Sequence, residues 1–341
     1  MGYLHTPTRR RHIAFGIYVA GVWNRRKMEV QDRLFTEGQR RYLNNVLPKS
    51  ASDAARLGLK GGFFRAGSLL FEDLTGRNPY DGYLRRRHGR YVERTVNGYR
   101  MRLDLEDQGL SRDLIYHGVR ERHATKAFSA ELKELLSVVE DDVVVLEAGA
   151  NLGYYALMEA YILGDRGHIL AVEPSPQTAA LLRENVRLNG FENRFTIDEC
   201  ALSDSSGSAT LTQRDQYNKN RLVNENEGDT PSVEVDVYQT AEFVESKGYS
   251  LEDLNVVRMD IQGQEYNVLR GMERIIENDA PLLAFIETHG SLSDDEFEWI
   301  ADVFESNDYE MAWVGGSGSD KVEDYNDFRR EKNGNPIFRN Y

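Results

Sequence analysis

Val143-Val144-Val145-Leu146-Glu147-Ala148-Gly149-Ala150-Asn151-Leu152-Gly153-Tyr154 is the stretch on which the fold turns. A short, unbroken apolar run that stops at glycine reads as a strand buried on both faces. The residues behind it, as far as Leu163, read as a helix. Gly149 lets the backbone turn tightly and come close to a ligand, and the helix presents its amino end to that ligand.

The same rhythm repeats on the carboxyl side. His168–Val172 predicts a second strand and Gln177–Asn189 a second helix; Phe195–Cys200 predicts a third strand. Asn255–Met259 and Leu282–Ile286 read as further strands, with helices over Gln264–Glu277 and Asp294–Ser306. Tyr309–Val314 and Pro336–Arg339 read as a closing hairpin. Apolar strands alternating with helices predict an α/β fold: a Rossmann-like, mostly parallel seven-stranded sheet covered by helices on both faces. Ligands of such sheets bind beyond the carboxyl ends of the strands.

The second strand ends at Glu173-Pro174, and this carboxylate lies 24 residues beyond Gly149, suited to accept from both hydroxyls of a ribose. In a plain structural reading the glycines only turn the chain and Glu173 only caps a helix. Taken together in strand context, they point to a nucleoside-containing cofactor. A nicotinamide site prefers G-x-G-x-x-G, which admits a pyrophosphate. Here the spacing is G-x-N-x-G, with Asn151 at the second glycine and Tyr154 after Gly153, and a phosphate-loop lysine is absent. S-adenosylmethionine has a ribose, an adenine and an amino-acid tail but no phosphate, and fits better. The competing readings are a nicotinamide-dependent oxidoreductase and a non-catalytic, membrane-associated binding protein on the same fold.

Four segments resemble the FkbM-type methyltransferases, class I S-adenosylmethionine-dependent enzymes that typically methylate hydroxyl oxygens. They are Glu147–Gly153, Ala171–Pro176, the run Leu182…Glu184-Asn185…Leu188-Asn189-Gly190, and Arg258–Glu265. The similarity covers roughly residues 110–290, with Glu147 where Asp is common and Gln262 where Glu is common. The resemblance implies that Gly149, Asn151 and Gly153 wrap the methionine tail, with Glu147 beneath it. It implies that Glu173 holds the ribose, with Pro174 and Ser175 shaping its edge, and that Cys200, Ala201 and Leu202 face the adenine. Glu121 would lie in a segment that closes over the cofactor.

Methyl transfer to a hydroxyl needs an aligned acceptor and a group to take its proton. The fourth strand ends at Asp260 and the fifth runs Ile286-Glu287-Thr288-His289, so Asp260, Glu287 and His289 can converge as catalytic residues. Oxygen and imidazole donors also permit Mg²⁺ without requiring it. The alternatives are a turn cap at Asp260 and a surface or helix-capping histidine. The Asn/Asp-Pro-Pro-Tyr/Phe signature of base-amino methylation is missing after the fourth strand, and Cys200 is on the wrong strand for cytosine chemistry. An acidic catalytic half would also repel phosphates. Nucleic acid is therefore not the expected acceptor. A hydroxyl or carboxyl on a glycan, a lipid-linked sugar or another small metabolite is.

Charge divides the chain. Residues 1–130 carry 25 Lys+Arg against 13 Asp+Glu, and residues 131–341 carry 17 against 43, within a net charge of −14. The expected organisation is a basic extension over 1–104 and a methyltransferase domain over 105–341. One cysteine excludes a disulfide framework or a cysteine zinc cluster. Arginine outnumbers lysine 33 to 9, which in an acidic protein resembles halophilic archaeal proteins.

The extension holds an 11-residue apolar run, Ile13–Trp23, between arginine clusters, too short to span a bilayer. It reads as a packed helix, as an interfacial segment making peripheral membrane contact through residues 9–27, or as a secretory signal. The expected location is the cytoplasm, peripheral at the inner face of the membrane if the interfacial reading holds. Helices broken at Pro48 and at Gly61-Gly62 follow over 28–75, then the basic cluster Arg85–Arg90, a match for an anionic ligand or simply a solvated face. Tyr91–Leu105 alternates around Asn97-Gly98, a two-residue hairpin signal.

Overall fold

In the computed structural model, residues 78–223, 230–278, 280–314, 325–331 and 334–341 are described, together with Ser68 and Glu72. The apolar run Ile13–Trp23, the proposed membrane contact over 9–27 and nearly all of the broken helices over 28–75 lie outside them. Among the described residues no helix is long and apolar enough to cross a membrane.

The chain divides into two compact units, Met1–Tyr83 and Leu84–Tyr341. In the first, the Asn78 side chain donates to Glu72 and accepts from the backbone N–H groups of Tyr80 and Asp81, capping the helix Pro79–His88.

The second unit begins with the expected hairpin, strands β1 (Tyr91–Val96) and β2 (Tyr99–Asp104), with Asn97 and Gly98 both at positive φ in the turn. Two arginines of the basic cluster serve structure here. Arg85 donates to the Leu105 carbonyl, and Arg90 grips the buried Asp104 carboxylate through two nitrogens.

The main sheet is built from β3 (Val143–Ala148), β4 (Gly167–Val172), β5 (Phe195–Asp198), β10 (Leu254–Met259), β11 (Leu283–Ile286), β12 (Glu310–Val314) and β13 (Asn335–Arg339). Its order is β12-β13-β11-β10-β3-β4-β5, and β13 alone among the described strands runs against the others. The chain thus winds outward from β3 in one direction, returns, and winds outward from β10 in the other. The switch point falls between β3 and β10. Val143–Ala148 and Leu254–Met259 are buried along their whole length, as strands covered on both faces must be. Phe128, Phe285, Phe297, Phe304, Phe328 and Phe338 pack around the β11–β13 side, with Phe304 and Phe338 stacked at 4.0 Å.

Register aligns the strand ends. Ala148 pairs with Val172 and with Met259, and Met259 pairs with Ile286. The next residues, Gly149, Glu173, Asp260 and Glu287, therefore stand in one row across four neighbouring strands. Backbone hydrogen bonds prolong the ladder into that row: Gly149 N to Val172 O, Asp260 N to Ala148 O, and Glu287 N to Met259 O, at 2.9–3.2 Å.

Two expectations are corrected. The third strand stops at Asp198, so Cys200 lies beyond it. The helix expected over Gln264–Glu277 is two helices, Glu265–Arg270 and Glu273–Ile276. The break falls at Met272, whose φ of −131° and ψ of 17° leave the helical region; beside it Gly271 lies so close to its neighbour that a Cβ would stand 2.3 Å from the Ser203 carbonyl oxygen.

The stretch between β5 and β10 forms a second sheet that no sequence pattern above anticipated: β6 (Ala201–Ser203), β7 (Gly207–Thr212), β8 (Leu222–Val223) and β9 (Ser232–Gln239), in the order β6-β9-β7-β8. The loop between β7 and β8 reaches back to the segment after the hairpin. Gln108 N donates to Asp215 O, Tyr217 N to Asp107 Oδ1, and the Tyr217 hydroxyl to Asp104 Oδ2 at 2.7 Å.

Candidate active site

A cleft opens over the switch point. It is lined by Gly149, Asn151, Glu173, Pro174, Cys200, Ala201 and Leu202 from the ends of β3, β4 and β5. Asp260, Ile261 and Gln262 line it after β10, and Tyr217, Asn218, Asn220, Arg221 and Leu222 after β7. Most residues expected to hold a cofactor thus meet in one place. Sequence reasoning missed the β7–β8 wall, because nothing local in residues 213–222 points to a cleft whose other sides come from strand ends both upstream, at Gly149 and Glu173, and downstream, at Asp260.

Glu173 organises the near side. Its Oε2 accepts from Asn151 N and its Oε1 from Ser175 N, both at 2.9 Å. Burial raises its pKa to about 7 against the pull of these two donors. Asn151 takes a left-handed conformation, φ 51°, which asparagine tolerates better than most residues. Ser175 accepts from Thr178 N and caps the helix Pro176–Asn189. From that helix the buried Asn185 donates to the Leu152 carbonyl and accepts from Arg102 N, tying the loop to the hairpin. Cys200 is buried, which pushes its thiol up to about 12 and leaves it a packing residue at neutral pH.

Glu147 does not line the cleft. It is fully buried, and its Oε1 accepts from Arg258 Nη1 at 3.0 Å. Arg258 also approaches Asp260 Oδ2 at 3.6 Å and lies over the Tyr155 ring at 4.3 Å. Glu121, expected above the cofactor, accepts from Arg120 Nε and from the Tyr155 hydroxyl, and sits at a left-handed φ of 43°.

Asp260, Glu287 and His289 come together, each offering a donor atom within 4.8 Å of the others. His289 Nε2 is 3.7 Å from Asp260 Oδ1 and 3.8 Å from Glu287 Oε1. Its Nδ1 is 2.7 Å from Oε1 of Glu265, a wholly buried carboxylate at the start of the helix Glu265–Arg270. The Gln262 amide nitrogen fills the space in front, 3.1 Å from Asp260 Oδ1 and 2.8 Å from His289 Nε2. Gln262 takes a left-handed φ of 57° to get there.

The charges are interlocked. Burial works against a charged His289, but the Glu265 hydrogen bond and the negative charges of Glu265, Asp260 and Glu287 outweigh it and raise its pKa to about 9. Burial and repulsion from Asp260 and Glu121 raise Glu287 to about 8. Asp260 is lowered: burial opposes its charge, and Arg258, His289, Arg120 and a hydrogen bond from Glu287 favour it more. At neutral pH the cluster is an ionised Asp260, a protonated Glu287 and an imidazolium paired with Glu265.

Residues 147–311 match the sequence profile of the methyltransferase FkbM domain. Methyltransferase 1 of Beauveria bassiana is 28% identical over 151 residues, 39% of this chain and 59% of that protein. The hexuronic acid methyltransferase AglP of Haloferax volcanii is 28% identical over 148 residues, 43% of this chain and 57% of that one. The chain thus spans less than two thirds of the length of either relative. Among solved structures, precorrin-6y C5,15-methyltransferase of Geobacter metallireducens aligns at 14% identity over 62% of this chain and 85% of that one, with a TM-score of 0.33. The likeness to the methyltransferase FkbM domain thus lies in residues 147–311, just under half of the chain.

Proposed function

We propose that the chain is an S-adenosylmethionine-dependent O-methyltransferase whose acceptor is a hydroxyl on a glycan, lipid-linked sugar or small metabolite. One observation carries the acceptor chemistry: the Gln262 amide nitrogen donates to Asp260 Oδ1 and stands 2.8 Å from His289 Nε2, which accepts from it once the imidazole is neutral. A hydroxyl that displaced this amide would offer its proton to the same two atoms, beside the cleft.

The residues suit the cofactor. Glu173 presents a carboxylate to a ribose, and the walls at Val172, Leu202, Leu211 and Leu222 are apolar, as a flat purine requires. When bound, S-adenosylmethionine supplies an electrophilic methyl group. His289 takes the hydroxyl proton on Nε2, and Glu265 fixes the tautomer by accepting from Nδ1–H. Asp260 stays ionised and stabilises the imidazolium that forms. A carboxylate acceptor would need no base and would meet the Asp260 carboxylate, so a hydroxyl is favoured over a carboxyl. A divalent cation is not required by this reading, because Arg258 already supplies positive charge beside Asp260.

AglP suggests where to search for the acceptor: glycans that contain hexuronic acids. Calorimetric titration with S-adenosylhomocysteine tests the cofactor, and transfer of a labelled methyl group to hydroxyl-bearing glycans tests the acceptor. Absence of S-adenosylhomocysteine binding would remove the reading altogether. Glu173→Gln is expected to weaken that binding ten- to hundredfold, since hydrogen bonds to a charged acceptor contribute about 1.5–3 kcal/mol. Unchanged affinity would show that Glu173 serves only the loop.

A further inference from the structure

Glu159 lies on the helix Tyr154–Leu163 among apolar neighbours and is wholly buried, and neither of its oxygens accepts from a nitrogen donor or a hydroxyl. Its carboxyl faces that of Glu147, close enough for a direct hydrogen bond. Glu147 Oε2 is also without such a donor, its Oε1 being taken by Arg258. Two carboxylates in a dry interior that share one guanidinium cannot both be charged. A single proton between them accounts for Glu147 Oε2 and for one of the two Glu159 oxygens.

We infer that Glu159 is a positioning residue: it keeps its proton, donates it to Glu147 Oε2, and so holds the Glu147–Arg258 pair in place beneath Asp260. Each face of the pair supports this. From β3 comes only Glu147. From β10 come Arg258 and, just past its end, Asp260, 3.6 Å from the guanidinium. From its own helix comes Tyr155, under the guanidinium, whose hydroxyl donates to Glu121. From β11 come Phe285, an apolar ring 5.9 Å from the guanidinium carbon, and, just past its end, Glu287, which also acts on Arg258; from β2 comes Tyr99, near Glu159, its hydroxyl donating to the Tyr154 carbonyl. Burial and the Glu147 charge both favour a neutral Glu159, and Arg258 opposes them weakly. With Glu159 neutral, Glu147 neutralises part of Arg258 and the remainder faces Asp260. A second negative charge would draw the guanidinium toward the pair and away from Asp260. The link runs from a residue that touches neither cleft nor acceptor to the carboxylate that the proposed chemistry needs ionised, and in its catalytic consequence it rests on the functional reading above.

Glu159→Gln and Glu159→Leu in the full chain test it. Glutamine keeps a donor toward Glu147 Oε2 and cannot titrate; leucine fits an apolar site but donates nothing. In the infrared difference between wild type and Glu159→Gln at neutral pH, one buried protonated-acid carbonyl band is expected to be lost, while bands from Glu287 and Glu173, whose pKa values are also raised, remain in both. Methyl transfer is expected to stay within about threefold of wild type in the glutamine variant. It should fall at least tenfold in kcat in the leucine variant, with little change in S-adenosylhomocysteine affinity. A residue that only fills space would give the opposite ranking, leucine above glutamine, and that outcome overturns the inference. So does an infrared difference between wild type and Glu159→Gln that shows no lost protonated-acid band. The infrared arm needs no acceptor, so it decides the shared proton even if the methyltransferase reading fails.

Discussion

Replacing His289 with alanine is expected to lower kcat by about 10²–10⁴-fold, the usual contribution of a positioned general base, and to leave S-adenosylhomocysteine binding within about twofold. The imidazole stands beside the cleft rather than under the cofactor loop, which is why the two quantities separate. The pH profile gives an independent check. A base must be unprotonated to act, and the pKa of His289 is raised to about 9. The rate should therefore climb through neutral pH and level off only above about 9. Glu265→Gln removes the nearest cause of that elevation, so the rising limb should move to lower pH while the plateau falls. Stability should follow the same linkage. A histidine whose folded pKa lies above its unfolded value stabilises fully at pH below about 6.5. That contribution is lost as pH rises through about 9. Glu265→Gln should thus be most destabilising in acid, with its melting temperature converging on the wild type in alkali. A flat profile between pH 6 and 9 in the wild type (a window of about three units on the ordinary histidine scale) would exclude His289 as the base.

What the sequence disclosed here is what is local. A strand that ends in Glu147-Ala148-Gly149 carries its own turn and its own ligand-facing backbone, and Glu173 and Asp260 close strands recognisable from a few apolar residues each. That the main sheet is mostly parallel follows from the helices between its strands; its order does not. Partnerships between distant residues were not readable. Arg258 looks like an intruder in an apolar strand until Glu147, 111 positions away, is seen against it. Glu265 reads as one more helix-start acid, and only its 2.7 Å approach to His289 makes it part of the site. The second sheet escaped notice for a different reason. Ser232–Gln239 alternates clearly, with Val233, Val235 and Val237 on one side. Its partners, however, are strands of three, six and two residues, too short or too polar to show a period. That sheet supplies a whole wall of the cleft.

Gly149 is where the fold and the proposed function are least separable, and Gly149→Ala is expected to abolish measurable S-adenosylhomocysteine binding while the protein still folds. The position has a φ of 77°, in the left-handed region, which costs a residue with a Cβ on the order of 1–3 kcal/mol. The larger effect is contact. A Cβ there would lie 2.3 Å from the Asp260 carbonyl oxygen and 3.0 Å from Ile261 Cγ2. The carbonyl cannot step back freely, because Asp260 N is bonded to the Ala148 carbonyl at 3.2 Å and the two strands are locked in register just behind. Relief must come from parting the loops after β3 and β10, which form the two sides of the cleft. Gly190→Ala is the matched control: its φ of 71° and ψ of 33° are also left-handed, but a Cβ there meets nothing within 4 Å. It should therefore carry the backbone strain alone, lowering stability slightly and leaving affinity intact. If both variants bind S-adenosylhomocysteine like the wild type, the close approach of the two loops has no part in holding the cofactor. If both lose binding equally, strain rather than contact is responsible. Loss in Gly149→Ala alone locates the cofactor between the ends of β3 and β10.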